Sequence, residues 1–158
     1  MMIFTDETKE KMRASFGRWH GTPHHDRTSV IGRGCDCVNL IRVIYHEAGI
    51  VDDRSLGGYS TTLGTWKESD QLKGAFQSVL FTTEHPVDEP EFGDMIVFKN
   101  GGGLSAHCGL YADGLVWHSL AKRCVTASPW KHWRHKADSL LRLTRTGYKA
   151  DPKSLLRG

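Results

Sequence analysis

The chain has 158 residues, 39% of them apolar and 25% charged, an ordinary globular composition that excludes low-complexity and collagen-like polymers. A formal net charge of +3 is too small to demand a polyanionic partner, and no run of about 18 apolar residues could span a membrane. A chain of this length buries about 70% of its unfolded surface in one core, so a single domain over residues 1–158 is expected, needing no disulfide staple.

Residues 5–20 read as a first helix, which Thr5 can cap, with Met12, Phe16 and Trp19 on one face and Gly21 as its stop. Gly21-Thr22-Pro23-His24-His25 is a turn that runs extended before Pro23, and residues 26–34 form a polar loop. The stretch Arg33-Gly34-Cys35-Asp36-Cys37-Val38-Asn39-Leu40-Ile41 then opens a second helix. Leu40, Ile41, Ile44, Tyr45 and Ala48 recur at spacings of three and four, opposite Arg42, His46 and Glu47, up to a stop at Gly49. With Asp36 as N-cap, Cys37 lies in the first turn, where unpaired N–H groups and the helix dipole favour an anion. A thiol so placed ionises more easily than free cysteine. The plain alternative is that Cys35 and Cys37 are small buried apolar side chains.

Residues 51–61 read as loop and 62–78 as a weaker helix marked by Leu63, Trp66, Leu72 and Phe76. Residues 84–93 form a Pro-rich acidic connector between a helical half (about 1–83) and a sheet half (about 92–145), which a basic tail, 146–158, follows. Strand-like runs cover 94–98, 105–111, 115–120, 123–127 and 139–144, divided by Asn100-Gly101-Gly102-Gly103, Asp113-Gly114 and Pro129. Helices followed by antiparallel strands argue for an α+β fold.

Residues 122–158 carry a charge of +8, leaving −5 for residues 1–121. A basic end can serve an anionic polymer such as cell wall or an acidic neighbouring subunit, or form a solvated face; it holds no groove-reading or base-stacking motif, so nucleic acid is not an expected partner. Met1 to Glu7 lack the zones of a secretory signal, which predicts synthesis in the cytoplasm, with export left to a larger assembly. Cys35, Cys37, Cys108 and Cys124 read as thiols in a reducing compartment.

A two-residue turn at Asp113-Gly114 pairs residues whose numbers sum to 227. His118 then faces Gly109 and shares its side of the ribbon with His107, a diagonal neighbour about 7–8 Å away at the backbone, while Cys108 turns to the other face. Cys37 as nucleophile, His107 as its base and His118 as the group that orients the His107 ring form a candidate catalytic set. Zinc competes on residue types alone, but Cys-x-Cys is not the usual ligand spacing and Cys108 points away from both histidines, so neither metal nor cofactor is expected.

These motifs, in this order, resemble the NlpC-type cell-wall peptidases, a papain-like cysteine peptidase family. The resemblance spans about residues 8–145. It rests on Trp19-His20-Gly21-Thr22-Pro23, the Asp36-Cys37 pair opening a helix, Phe92-Gly93-Asp94-Met95-Ile96-Val97-Phe98, His107-Cys108-Gly109-Leu110-Tyr111 and Val116-Trp117-His118. It implies a papain-like fold of N-terminal helices on a C-terminal antiparallel half-barrel, cleavage of peptidoglycan stem peptides, and the catalytic roles given above to Cys37, His107 and His118. It also implies an oxyanion donor in the Cys37 backbone N–H, with Asp36, His24, Val38 and Asn39 around the substrate. His24 stands where the family usually has Tyr, and Val38-Asn39 where it has Ser-Gly. The Gly-Thr-Pro-His turn and Gly32-Arg33-Gly34-Cys35-Asp36-Cys37 are similar to peptidases encoded among tail genes of phages and gene transfer agents, which implies a virion-tail enzyme acting at the cell wall beside other tail proteins. The competing expectations are a tail-hub subunit that keeps the fold without the activity, and an amidase or acyltransferase on the same fold.

Overall fold

The computed structural model describes residues 2–25, 28–52, 69–99 and 106–150. Helix α1 (Asp6–Trp19) is capped by Thr5, whose Oγ1 accepts from the Thr8 N–H at 3.2 Å, and buries Met12, Phe16 and Trp19. Helix α2 (Cys37–Glu47) buries Leu40, Ile41, Ile44 and Tyr45, as the spacing predicts. Helix α3 (Ser69–Val79) buries Leu72 and Phe76; Leu63, Trp66 and the rest of the expected helix before residue 69 lie outside the described residues, as do residues 53–61 of the expected loop.

Six antiparallel strands form the main sheet: β3 (Leu80–His85), β4 (Met95–Phe98), β5 (His107–Ala112), β6 (Leu115–Ser119), β7 (Val125–Pro129) and β8 (Ala137–Tyr148), in spatial order β3-β8-β4-β5-β6-β7. A two-stranded pair, β1 (Ser29–Val30) with β2 (Gly34–Cys35), occupies the stretch read as loop. The fold is α+β, as expected. Several boundaries differ, and pairing explains them. Strand β3 falls where the helical half was expected to end, and its Leu80-Phe81-Thr82-Thr83-Glu84-His85 lacks a clean alternation because it is an edge pairing only with β8. Strand β8 extends well beyond 139–144 because β4 pairs with its first half and β3 with its second. A short helix α4 (Trp130–Trp133) and a 3-10 turn (Arg134–Lys136) fill the link from β7 to β8.

The sheet separates two cores. Met95, Val97, Cys108, Leu110, Ala112, Leu141 and Leu143 face the helices and join the larger one, where each fully buried Leu contributes about 1.5–3 kcal/mol. Ile96, Phe98, Val116, Ala137 and Leu140 face the other way, under half-buried Trp130 and Trp133. The start of β4 is tied to β8 by Arg142, which donates to both carboxylate oxygens of the fully buried Asp94 at 3.0 and 2.8 Å. Burial pushes the Asp94 carboxyl upward and the guanidinium opposes it. Among the described residues no helix is long and apolar enough to cross a membrane.

Candidate active site

Cys37 is held in place by its neighbours in sequence and by the open edge of β7. Asp36 caps α2, its Oδ1 accepting from the Asn39 N–H at 2.7 Å and its Oδ2 from the Asn39 side-chain amide at 3.0 Å. The turn before Cys37 is bonded to a strap of residues 21–24: Cys35 N–H donates to the Pro23 carbonyl at 3.0 Å. The strap lies along the start of β7, through Val125 N–H to the Thr22 carbonyl and Gly21 N–H to the Val125 carbonyl, both 2.8 Å. Ser119, at the end of β6, donates its hydroxyl proton to the Cys35 carbonyl at 2.6 Å. It therefore accepts at 2.8 Å from Nδ1–H of His24, which fixes that imidazole beside the strap. Cap, strap and sheet edge thus set the cysteine against the strands.

The histidines come together as the hairpin arithmetic predicts. Asp113 (φ 53) and Gly114 (φ 78) both adopt positive φ, and the register pairs Leu110 with Trp117, Tyr111 with Val116 and Ala112 with Leu115. His107 Nε2 lies 2.9 Å from His118 Nδ1. The close approach depends on Gly109, since a Cβ there would meet Val116 Cγ1 at 2.7 Å, the Trp117 carbonyl oxygen at 2.8 Å and His118 Cβ at 3.2 Å. That is the physical content of the glycine two residues after His107: it clears a slot for the neighbouring strand.

The Cys37 thiol meets β5 at its first two residues. Hydrogen bonds from Cys108 and His107, together with the His107 charge, hold Cys37 well below the ordinary thiol range against the opposing effect of burial. Burial and the adjacent Cys37 push Cys108 the other way, so the proton of this pair rests on Cys108 and the negative charge on Cys37, nearer His107 and the start of α2. Cys108 does lie in the helix-side core, away from the histidine face, as strand parity requires. It nonetheless touches the nucleophile, because the start of α2 lies against the first residues of β5, where both His107 and Cys108 reach Cys37. His118 is fully buried; burial first, then His107 and Lys136, lowers it to about 3, so its ring is neutral over the whole working range.

Aromatic side chains wall the pair. Phe98 stacks on His107 at 5.4 Å between ring centroids, and Trp133 meets His118 edge-on at 4.6 Å, with Lys136 Nζ 4.4 Å above the Trp133 ring. On the far side, His118 Nε2 lies 2.8 Å from Ser128 Oγ. Sequence reasoning did not reach Cys108 as a thiol partner, nor Phe98, Trp133 or Ser128. Cys108 and Phe98 were within its reach through their adjacency to His107 and the start of the first sheet strand, whereas nothing local marks Trp133 or Ser128.

The remaining expected positions divide. Asp36 and Val38 flank Cys37 at the start of α2, and His24 lies on the strap next to Cys35. Asn39 is 2% exposed, with its amide NH₂ on Asp36 and its Oδ1 accepting from Arg42 Nε at 3.1 Å, so it braces the cap from beneath. Among the described residues no group of three or more His, Cys, Asp or Glu side chains is arranged to hold a metal.

A family model described as the NlpC/P60 family matches residues 18–141. A crystal structure of the NlpC/p60 domain of peptidoglycan hydrolase SagA superposes with a TM-score of 0.53 at 17% identity, covering 85% of this chain and 98% of that one. A Staphylococcus aureus protein described as similar to a lipoprotein of the NLP/P60 family superposes with a TM-score of 0.59 at 20% identity, covering 90% of this chain and 43% of that one. At these identities the two structures share the fold. No curated protein sequence matches the chain.

Proposed function

Since the chain belongs to the NlpC/P60 family, we propose that it is a cysteine endopeptidase that hydrolyses the peptide stems of peptidoglycan. The observation that carries this reading is the linked set of a lowered Cys37 thiol, His107 beside it, and the 2.9 Å contact from His107 to a neutral His118. In the reaction, the Cys37 thiolate attacks the scissile carbonyl carbon, and the oxygen that becomes negative is met by the Cys37 backbone N–H at the start of α2. The tetrahedral adduct collapses to a thioester as His107 gives its proton to the departing amine. His107 then takes a proton from water, whose oxygen attacks the thioester, and Cys37 leaves as thiolate with the acid product released.

The finer setting is also a proposal: a component of a phage tail or similar particle that opens the wall locally during DNA delivery. The motifs Gly21-Thr22-Pro23-His24 and Gly32-Arg33-Gly34-Cys35-Asp36-Cys37 support it by their similarity to tail-encoded peptidases. The particle would carry the enzyme to the wall.

Mass spectrometry of purified walls digested with the protein tests the reaction and names the bond. Cys37→Ala is expected to lose at least about 10³-fold of muropeptide release while keeping the wild-type circular dichroism. Release at the wild-type rate by that variant rejects the peptidase reading.

A further inference from the structure

The contact chain does not end at His118. His107 directs Nε2 at His118 Nδ1 (2.9 Å), and His118 directs Nε2 at Ser128 Oγ (2.8 Å). A neutral imidazole has one N–H, so only two proton arrangements satisfy both contacts. In the first, His118 carries its proton on Nε2 and donates it to Ser128, leaving Nδ1 to accept from His107 Nε2–H. The Nδ1 lone pair of His107 is then free to take the Cys37 proton. In the second, Ser128 donates to His118 and His118 donates to His107, which puts the His107 proton on Nδ1, facing the thiol, where it cannot act as a base. Once His107 has taken the thiol proton, both of its nitrogens are donors, and only the first arrangement offers Nε2–H an acceptor.

We propose that Ser128 is a positioning residue of the reaction: by accepting from His118 Nε2–H it selects the tautomer that lets His107 receive and hold the proton of Cys37. This deepens the peptidase reading and rests on it. Strand register supports the role, because β7 pairs His118 with Thr126 and Val116 with Ser128, which places the serine diagonally across from the buried ring. His118 is fully buried under Trp133 and Phe98, so loss of the serine hydroxyl would leave its Nε2–H buried and unsatisfied. Among the described residues, the charged and titratable groups that act on the two rings are Cys37 at the start of α2, beside His107, and Lys136 on the 3-10 turn, beside His118, while Cys108 on β5 and Asp36 act on the Cys37–Cys108 pair. Lys136 disfavours a second positive charge on His118 and so keeps that ring a neutral acceptor.

The test follows iodoacetamide alkylation of Cys37 against pH together with steady-state stem-peptide hydrolysis. Ser128→Ala is expected to lower kcat roughly tenfold with little change in KM, and to move the alkylation midpoint upward by about one pH unit, the size of one lost hydrogen bond to a charge-bearing network. Ser128→Thr, which keeps the hydroxyl, is expected to restore both. An unchanged midpoint and kcat in Ser128→Ala, or a threonine variant no better than alanine, overturns the proposal. Should the alanine variant not fold, the wild-type protein decides alone: ¹⁵N spectra of its histidine rings should show His118 protonated at Nε2, and protonation at Nδ1 overturns the assignment. Hydrolysis that survives Cys37→Ala would instead reject the parent reading, whatever Ser128 does.

Discussion

On the helix side of the sheet, β4, β5 and β8 present Met95, Val97, Cys108, Leu110, Ala112, Leu141 and Leu143, a layer with no charged group. On the other side, the same strands and β6 carry a smaller buried set, Ile96, Phe98, Val116, Ala137 and Leu140, interleaved with His107, His118 and the Arg142–Asp94 pair. The first layer is held by area and shape; the second is held by hydrogen bonds between groups that are costly to bury alone. The difference shows why the chemistry sits at the end of the second layer. There Phe98 and Trp133 cover the histidine rings, whose facing nitrogens keep partners, and Cys37 reaches them from the helix side at the first residues of β5.

Truncation on the helix side should separate the layers most strongly. Leu141→Ala, at a fully buried position two strands from His107 and three from His118, is expected to cost about 2–5 kcal/mol in urea unfolding. The hydrolysis rate of the folded fraction should stay within about twofold, since distant sites act independently. A large rate loss would mean that the two layers are not energetically separate.

Acid should do the reverse and attack the histidine side. His118 is held neutral with its pKa lowered from 6.5 to about 3, whereas the unfolded ring protonates normally. Its contribution is therefore complete above pH 6.5 and is lost progressively as pH falls toward 3, by a few kcal/mol in total. Urea midpoints between pH 7 and 4 should fall in the wild type, and His118→Asn should flatten that slope.

A smaller and more local break is Gly109→Ala. The added Cβ would press on the Trp117 carbonyl and His118 Cβ, and a displacement of the ring approaching 1 Å is expected to lower kcat by about 10²-fold, with secondary structure retained in circular dichroism. Unaltered kcat would show that the slot is not what places His118.

The amino-acid sequence determined the features whose causes are local. Asp36 capping a helix with Cys37 at its first position, the Asp113-Gly114 turn and the face shared by His107 and His118 all follow from near neighbours and strand parity, and each is found in the structure. Long-range pairing decided the rest. Strand β3 exists because β8 offers it an edge, and the strap of residues 21–24 is fixed by the start of β7 about one hundred residues later. Cys108 touches the thiol although parity sends it to the opposite face, and Ser128 and Trp133 meet His118 from elements that only the assembled sheet brings near. Periodicity and capping act over a few residues, where the backbone leaves few choices. Which polar atom finds which partner across strands is settled only when burial removes water as the alternative.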